Sequence, residues 1–462
     1  MHSKPDVTAP PATPTYDEID GVFTGDPLSA AARVVETITE PYVLYESGGR
    51  YSIGIGSLAE IRVDTTAAVL TTRDGEQHTL PWSGAPLDRV TELLDKLGGL
   101  GLAEWRAYGW AGFELAYANA GRTDLLCDHP LLHLMIPHTE VTLEPGRATV
   151  RSTHPDETRR IGGLLAGDIP ERRYQPRPVD VVGGDRERYC DAVAAAVQEI
   201  EDRKLQKVIL SRVLPVERPV DLVGTYVVGR RCNTPARSFL LDAGGVRAAG
   251  FSPEIVVEVG PSGLVRTQPL AGTRALAGIA EHDLDRRSDL LSDAKEIFEH
   301  AISVKVAYDE LVELCGTDSV RVDNFMTVKE RGSVQHLASS VTGQLPAGVG
   351  PWRAFEALFP AVTASGVPKT DAYAAIHRHE TLPRGLYSGA VFAVDHTGAM
   401  DAALVLRSIF QQGGRTWLRA GAGIVAQSRP AREFEETCEK LRSIAMHVVP
   451  LEGTAGATAP AR

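Results

Sequence analysis

The chain has 462 residues, room for two or three ordinary domains or one large one. Its 48 Lys+Arg against 60 Asp+Glu leave a formal charge of −12, which argues against broad binding to nucleic acid or to an anionic membrane while permitting a small basic pocket. With 43% hydrophobic and 23% charged residues, 44 Gly and 29 Pro, the composition is that of a packed globular protein and excludes a collagenous or low-complexity chain.

Residues 1–17 are rich in Pro, Thr and Ala and lack an apolar signal-peptide core, so a frayed tail is expected there. The longest apolar runs, such as Leu131 to Ile136, fall far short of the roughly 20 residues a membrane helix needs. Five widely spaced cysteines without a CxxC pair suggest reduced thiols and a cytoplasmic protein. Residues 18–175 read as an α+β part. Val43-Leu44-Tyr45 and Tyr51-Ser52-Ile53 flank a Gly-rich turn, and Val141 to Leu143 and Ala148 to Val150 flank Glu144-Pro145-Gly146-Arg147, so two hairpins are expected. Leu87, Val90, Leu94 and Leu97 recur at helical spacing before Gly98-Gly99. The Pro- and Arg-rich stretch from Pro170 to Pro178 is the linker candidate.

Residues 185–450 form a second, longer part. Tyr189, Val193, Val197 and Ile200 share one helix face, and Val208-Ile209-Leu210 reads as a buried strand. Strand-turn units follow, then one helix predicted over Arg286 to Leu314. Later strands fall at Ala390 to Val394, Ala402 to Phe410 and Trp417 to Ala420. A last helix begins at Pro430, a favourable first-turn residue, and runs to about Val449. A second tail is expected over 451–462. Hairpins with a few long helices predict an α+β fold, with sheets covered by helices.

Four features bear on chemistry. Glu296 and Glu299 lie one helical turn apart, and Glu433 and Glu436 repeat the spacing on the last helix. Were the two faces to meet, four carboxylates would repel one another unless a divalent cation joined them, and hard oxygen ligands suit Mg2+. Lys207 enters a buried strand, where neighbours would have to lower its pKa before it could act as a base. Glu254, in Ser252-Pro253-Glu254, stands at the mouth of a strand where partial desolvation would keep it protonated. Gly272-Thr273-Arg274 and Gly421-Ala422-Gly423 each follow a strand and would let backbone N–H groups approach an anion. Taken singly, each also fits an ordinary role: a solvated acidic face paired with Lys295 or Lys440, a snorkelling lysine, a turn glutamate, a tight turn.

Together they carry a resemblance. Pro269-Leu270-Ala271-Gly272-Thr273-Arg274, Lys295-Glu296-Ile297-Phe298-Glu299-His300, Leu358 to Gly366, Gly421-Ala422-Gly423-Ile424-Val425 and Glu433 to Lys440 strongly resemble the chorismate-utilising enzymes. That group contains anthranilate, aminodeoxychorismate, isochorismate and salicylate synthases. Lys207 to Arg212, Asn233-Thr234-Pro235, Arg331 to His336 and Arg384 to Gly389 look most like the mycobactin-type salicylate synthases of actinobacteria.

The resemblance implies one large fold of two β-rich halves packed together, helices outside and the site deep between them. It implies chorismate as substrate and Mg2+ as cofactor, with Glu299 and Glu436 as direct metal ligands and Glu296 and Glu433 holding metal-bound waters. Lys207 would activate water, and Glu254 would protonate the departing hydroxyl. Tyr387 and Arg407 would grip the pyruvyl carboxylate, and Gly272, Thr273, His336, Thr363, Gly421, Gly423 and Lys440 would complete the pocket. Salicylate and pyruvate would result, supplying siderophore synthesis, from a monomer needing no glutaminase subunit. The alternatives are an isochorismate synthase without the lyase step, an anthranilate-type synthase, against which Lys207 argues, and an inactive binding protein that kept the fold.

Overall fold

The computed structural model describes residues 15–451 apart from 101 and 103. Most of the expected tails, 1–14 and 452–462, therefore lies outside the described residues. Tyr16 is already part of the fold, its hydroxyl donating to Pro137 O at 3.0 Å.

Two large antiparallel sheets dominate. One has eleven strands in the order Asp17–Phe23, Gly146–Ser152, Thr139–Glu144, Arg50–Ile55, Tyr42–Ser47, Arg237–Ala243, Val246–Ser252, Ser408–Gln412, Arg415–Ile424, Lys207–Pro215 and Gly366–Val367. The other, of twelve, begins at Leu270–Ala275, passes through Val334–Gln344, Leu264–Thr267, Ile255–Val259, Met400–Leu404 and Ala390–Asp395, and ends on strands from residues 59–136. Each sheet therefore mixes strands from before residue 175 with strands from after 185. Tyr45, Phe239 and Phe410 of the first sheet pack with Tyr108, Trp110 and Val391 of the second in one buried cluster. The Trp110 indole donates to Ala243 O at 3.0 Å across the gap. The two sheets thus pack face to face. Both expected hairpins are present, pairing Leu44 with Ile53 and Val141 with Val150.

Four predicted elements differ. The strand expected over Ala402 to Phe410 is two, Met400–Leu404 in the twelve-stranded sheet and Ser408–Gln412 in the eleven-stranded one, parted at Arg407 with φ 53°. The single helix over Arg286 to Leu314 is two, Ala280–Ser292 and Ala294–Cys315. Asp293 separates them with extended backbone, and its carboxylate accepts from the N–H groups of Lys295 at 2.8 Å and Glu296 at 3.2 Å. That cap starts the second helix and fixes its first turn, where Glu296 lies. The two glycine segments do not follow strands but lie within them, in Leu270–Ala275 and Arg415–Ile424. The last helix stops earlier than expected, at Ala445.

The Pro- and Arg-rich stretch is not a free linker. Arg177 N–H donates to Val448 O and Val179 N–H to Ala445 O, so it straps the end of the last helix. Among the described residues no helix is long and apolar enough to cross a membrane.

Candidate active site

The strand Lys207–Pro215 pairs with Arg415–Ile424, setting Ile209 opposite Gly423 and Ser211 opposite Gly421. The helices Ala294–Cys315 and Pro430–Ala445 pack behind this region, the first on Leu270–Ala275 and Val334–Gln344, the second on Arg415–Ile424. A cavity of about 60 Å³ lies among them, lined by Glu254, Gly272, Thr273, Glu299, His336, Thr363, Tyr387, Arg407, Gly421, Gly423, Glu436 and Lys440, with Ile209, Leu270, Leu406, Arg419 and Leu441. Of the residues singled out by sequence, Lys207, Glu296 and Glu433 are off its wall but directly behind it.

Lys207 is fully buried; its ammonium pairs with Glu299 Oε1 at 3.0 Å and donates to Ser303 Oγ at 3.0 Å. The four glutamates converge, all buried. Lys295 stands among them, 3.3 Å from Glu296 and 3.6 Å from both Glu299 and Glu433, while Lys440 pairs with Glu436 at 2.7 Å. These faces are therefore neither solvated nor independent. Burial works against charge at all four. Lys207 and Lys295 nonetheless hold Glu299 below its ordinary range, and Lys440 and Lys295 do the same for Glu436. Burial and the nearby Glu436 charge push Glu433 up to about 7, and burial raises Glu296 despite Lys295. Glu296 has Arg274 at 3.0 Å and Lys295 at 3.3 Å, whereas the nearest cation to Glu433 among the described residues is Lys295 at 3.6 Å. Glu433 Oε2 is buried without a hydrogen-bond partner. Among the described residues no three such groups already surround one metal-sized point. Four carboxylates on two helices, one with an orphaned oxygen, nevertheless form the hard-oxygen donor set that suits Mg2+.

The glycines make room. A Cβ on Gly423 would stand 2.1 Å from Glu299 Oε1, and one on Gly421 would meet Leu210 O at 2.7 Å and the Tyr387 hydroxyl at 3.1 Å. Gly272 has φ +80° at a bulge beside Glu296, and the next N–H, of Thr273, donates to Glu296 Oε2 at 2.9 Å. In the Gly272-Thr273 run a backbone N–H thus reaches a carboxylate, that of Glu296, while Gly421 and Gly423 leave room for the Tyr387 phenol and the Glu299 carboxylate.

Glu254 is 2% exposed. Burial raises its carboxyl to about 8, although the Thr363 hydroxyl donates to it at 2.6 Å, so it is protonated at neutral pH. The Arg407 guanidinium, on a left-handed residue with φ 53°, donates to Arg331 O at 2.7 Å and to His336 Nε2. His336 Nδ1 lies 3.3 Å from Gly272 O and 3.1 Å from the Thr273 hydroxyl. Burial, Arg407 and Lys440 hold the imidazole well below its ordinary pKa. It is therefore neutral, with its proton on Nδ1 and its Nε2 lone pair toward Arg407. Among the described residues Arg407 has no carboxylate partner, so its charge is available to an anion in the cavity.

Sequence reasoning gave no role to Ser303, which holds Lys207, to Arg419, or to Arg274, 3.0 Å from Glu296. Arg419 sits in an alternating strand exactly where a solvent-facing arginine would, so its pattern carries no signal.

Residues 40–446 match the chorismate binding enzyme family. The chain is 44% identical to a salicylate synthase from Mycolicibacterium paratuberculosis over 92% of this chain and 94% of that one. It is 35% identical to an anthranilate synthase component 1 from Acetivibrio thermocellus over 56% and 52% of the two chains. Two solved structures share the fold: anthranilate synthase component I from Streptococcus pneumoniae (TM-score 0.71, 23% identity, 88% and 93% coverage) and the menaquinone-specific isochorismate synthase from Escherichia coli (TM-score 0.70, 22% identity, 95% and 96% coverage). The chain belongs to the family of chorismate-binding enzymes.

Proposed function

We propose that this enzyme is a salicylate synthase, converting chorismate through isochorismate to salicylate and pyruvate. The observation that carries the proposal is one cavity lined by both Glu254, whose carboxyl burial raises to about 8, and Arg407, which has no carboxylate partner among the described residues, with Lys207 behind it on Glu299. The extended likeness to a salicylate synthase supports it.

Chorismate carries two carboxylates. Arg407 and the Tyr387 hydroxyl, both on the cavity wall, would bind that of the enolpyruvyl group, Arg407 through its planar fork. Lys440, which donates to Gly421 O at 3.0 Å, is a second cation on the cavity wall. Glu299 and Glu436 would hold Mg2+ and Glu296 and Glu433 its waters, and the ion would supply positive charge for the ring carboxylate. Lys207, which must be in its neutral form to serve as the base, takes a proton from water as the new C–O bond forms at ring C2. The ring double bonds shift, the C4–O bond breaks, and Glu254 gives its proton to the departing hydroxyl. An acid and a base with environments of opposite demand are what this step needs. In the second step the C2 hydrogen passes to the enolpyruvyl methylene while the C3–O bond breaks. No acid or base takes part; the walls of Ile209, Leu270, Leu406 and Leu441 have only to hold the folded conformer.

Purified protein supplied with chorismate and Mg2+ should release salicylate and pyruvate in equal amounts by chromatography. Isochorismate accumulating without pyruvate would overturn the proposal in favour of a synthase lacking the lyase step.

A further inference from the structure

Behind Tyr387 lies a buried ion cluster that the reaction scheme leaves unused. The carboxylate of Glu380, immediately after the helix Lys369–His379, is 4% exposed and accepts from both Arg384 and Arg419. It also accepts from Ser211 N–H at 2.7 Å and Ser211 Oγ at 2.8 Å. Every nitrogen of the Arg419 guanidinium is tied down: Nε to Ser211 Oγ at 2.9 Å, Nη1 to Pro383 O at 2.6 Å and Nη2 to Glu380 at 2.5 Å. So fastened, it sits 5.3 Å from the centre of the Tyr387 ring, with Arg384 at 5.9 Å. Both guanidiniums thus share the Glu380 carboxylate and are held beside that ring. Buried cations over an aromatic face attract it by about 1–2 kcal/mol. Tyr387 is itself buried, and its hydroxyl lies over Gly421 at the cavity wall.

We infer that Arg419 is a positioning residue: clamped by Glu380, it fixes the Tyr387 ring and turns the phenol O–H toward the substrate carboxylate. This rests on the reading of the cavity as the chorismate site. Arg419 lines the cavity, but all three of its guanidinium nitrogens are already bonded to Ser211, Pro383 and Glu380, so its removal acts through Tyr387. That contact is made in ground and transition states alike, so the effect falls on KM more than on kcat.

The test is a double-mutant cycle on chorismate consumption, with thermal unfolding followed for each variant. Arg419→Gln should raise KM about tenfold, the size of a lost buried cation–ring contact, and change kcat less than about threefold. In a Tyr387→Phe background the same substitution should raise KM less than about twofold, because the phenol it positions is gone. Equal KM shifts in both backgrounds, a kcat loss without a KM change, or no effect would each overturn the inference. Should Arg419→Gln fail to fold, Arg419→Lys, which keeps the charge but loses the fork, is put through the same cycle and judged by the same non-additivity. A wild type that leaves chorismate untouched overturns the reading of the cavity and this inference with it; turnover with additive variants overturns the inference alone.

Discussion

Glu254→Gln should abolish turnover and at the same time stabilise the protein, increasingly so as the pH rises. Glu254 is 2% exposed and its carboxyl is raised from 4.5 to about 8, chiefly by burial. A carboxyl raised in the native state resists an ionisation that the unfolded chain permits. Its cost is absent below about pH 4.5, grows between there and about 8, and is constant above. At 1.36 kcal/mol per pH unit it amounts to about 3 kcal/mol at pH 7 and at most about 5 kcal/mol above pH 8. Glutamine removes that cost and keeps the packing. Its amide can donate to the Thr363 oxygen, which now lies 2.6 Å from Glu254 Oε1. Denaturant unfolding of wild type and variant, free of substrate and divalent ions, should coincide near pH 5 and separate steadily toward pH 8.5. For the same reason wild-type kcat/KM should fall as the pH passes about 8, where the acid ionises. A stability difference that does not vary with pH, or a variant less stable at pH 8.5, would refute the placement of a protonated acid in the cavity.

Three further outcomes are expected. Lys207→Ala should stop water addition to chorismate by at least about a hundredfold, yet leave part of the pyruvate release from supplied isochorismate; equal loss of both steps would count against a base confined to the first. Gly423→Ala should displace the Glu299 carboxylate, whose oxygen lies 2.1 Å from the new methyl, and disturb its 3.0 Å pair with Lys207. Breaking a buried pair costs about 3–5 kcal/mol, so unfolding should shift by that order and activity should vanish; wild-type behaviour would contradict the packing described. Chelation of divalent ions should abolish turnover, and titration calorimetry should show Mg2+ binding lost in Glu436→Gln; full rates in chelator would remove the metal from the scheme.

Local features were legible in the sequence because local forces fix them. The hairpins at 43–53 and 141–150 follow from alternating apolar residues around Gly-containing turns. The helix break at Asp293 was hidden, because the periodicity of apolar residues continues across it and only the cap geometry stops it. The glycines of Gly421-Ala422-Gly423 looked like turn residues. Their reason is tertiary: Tyr387 and Glu299, from other elements, need the space of two side chains. The paired glutamates were visible as a spacing on each helix, but nothing in either spacing says the helices meet. That knowledge came from the resemblance carried by the ordered motifs. Strand pairings such as Ile209 with Gly423, more than two hundred residues apart, leave no periodic trace at all.

The central claim is that water adds to the chorismate ring and that its oxygen stays there while pyruvate departs. Turnover in heavy-oxygen water, followed by mass spectrometry of the products, tests this most directly. The account predicts one heavy oxygen in the phenolic position of salicylate. Salicylate formed without the label would contradict it.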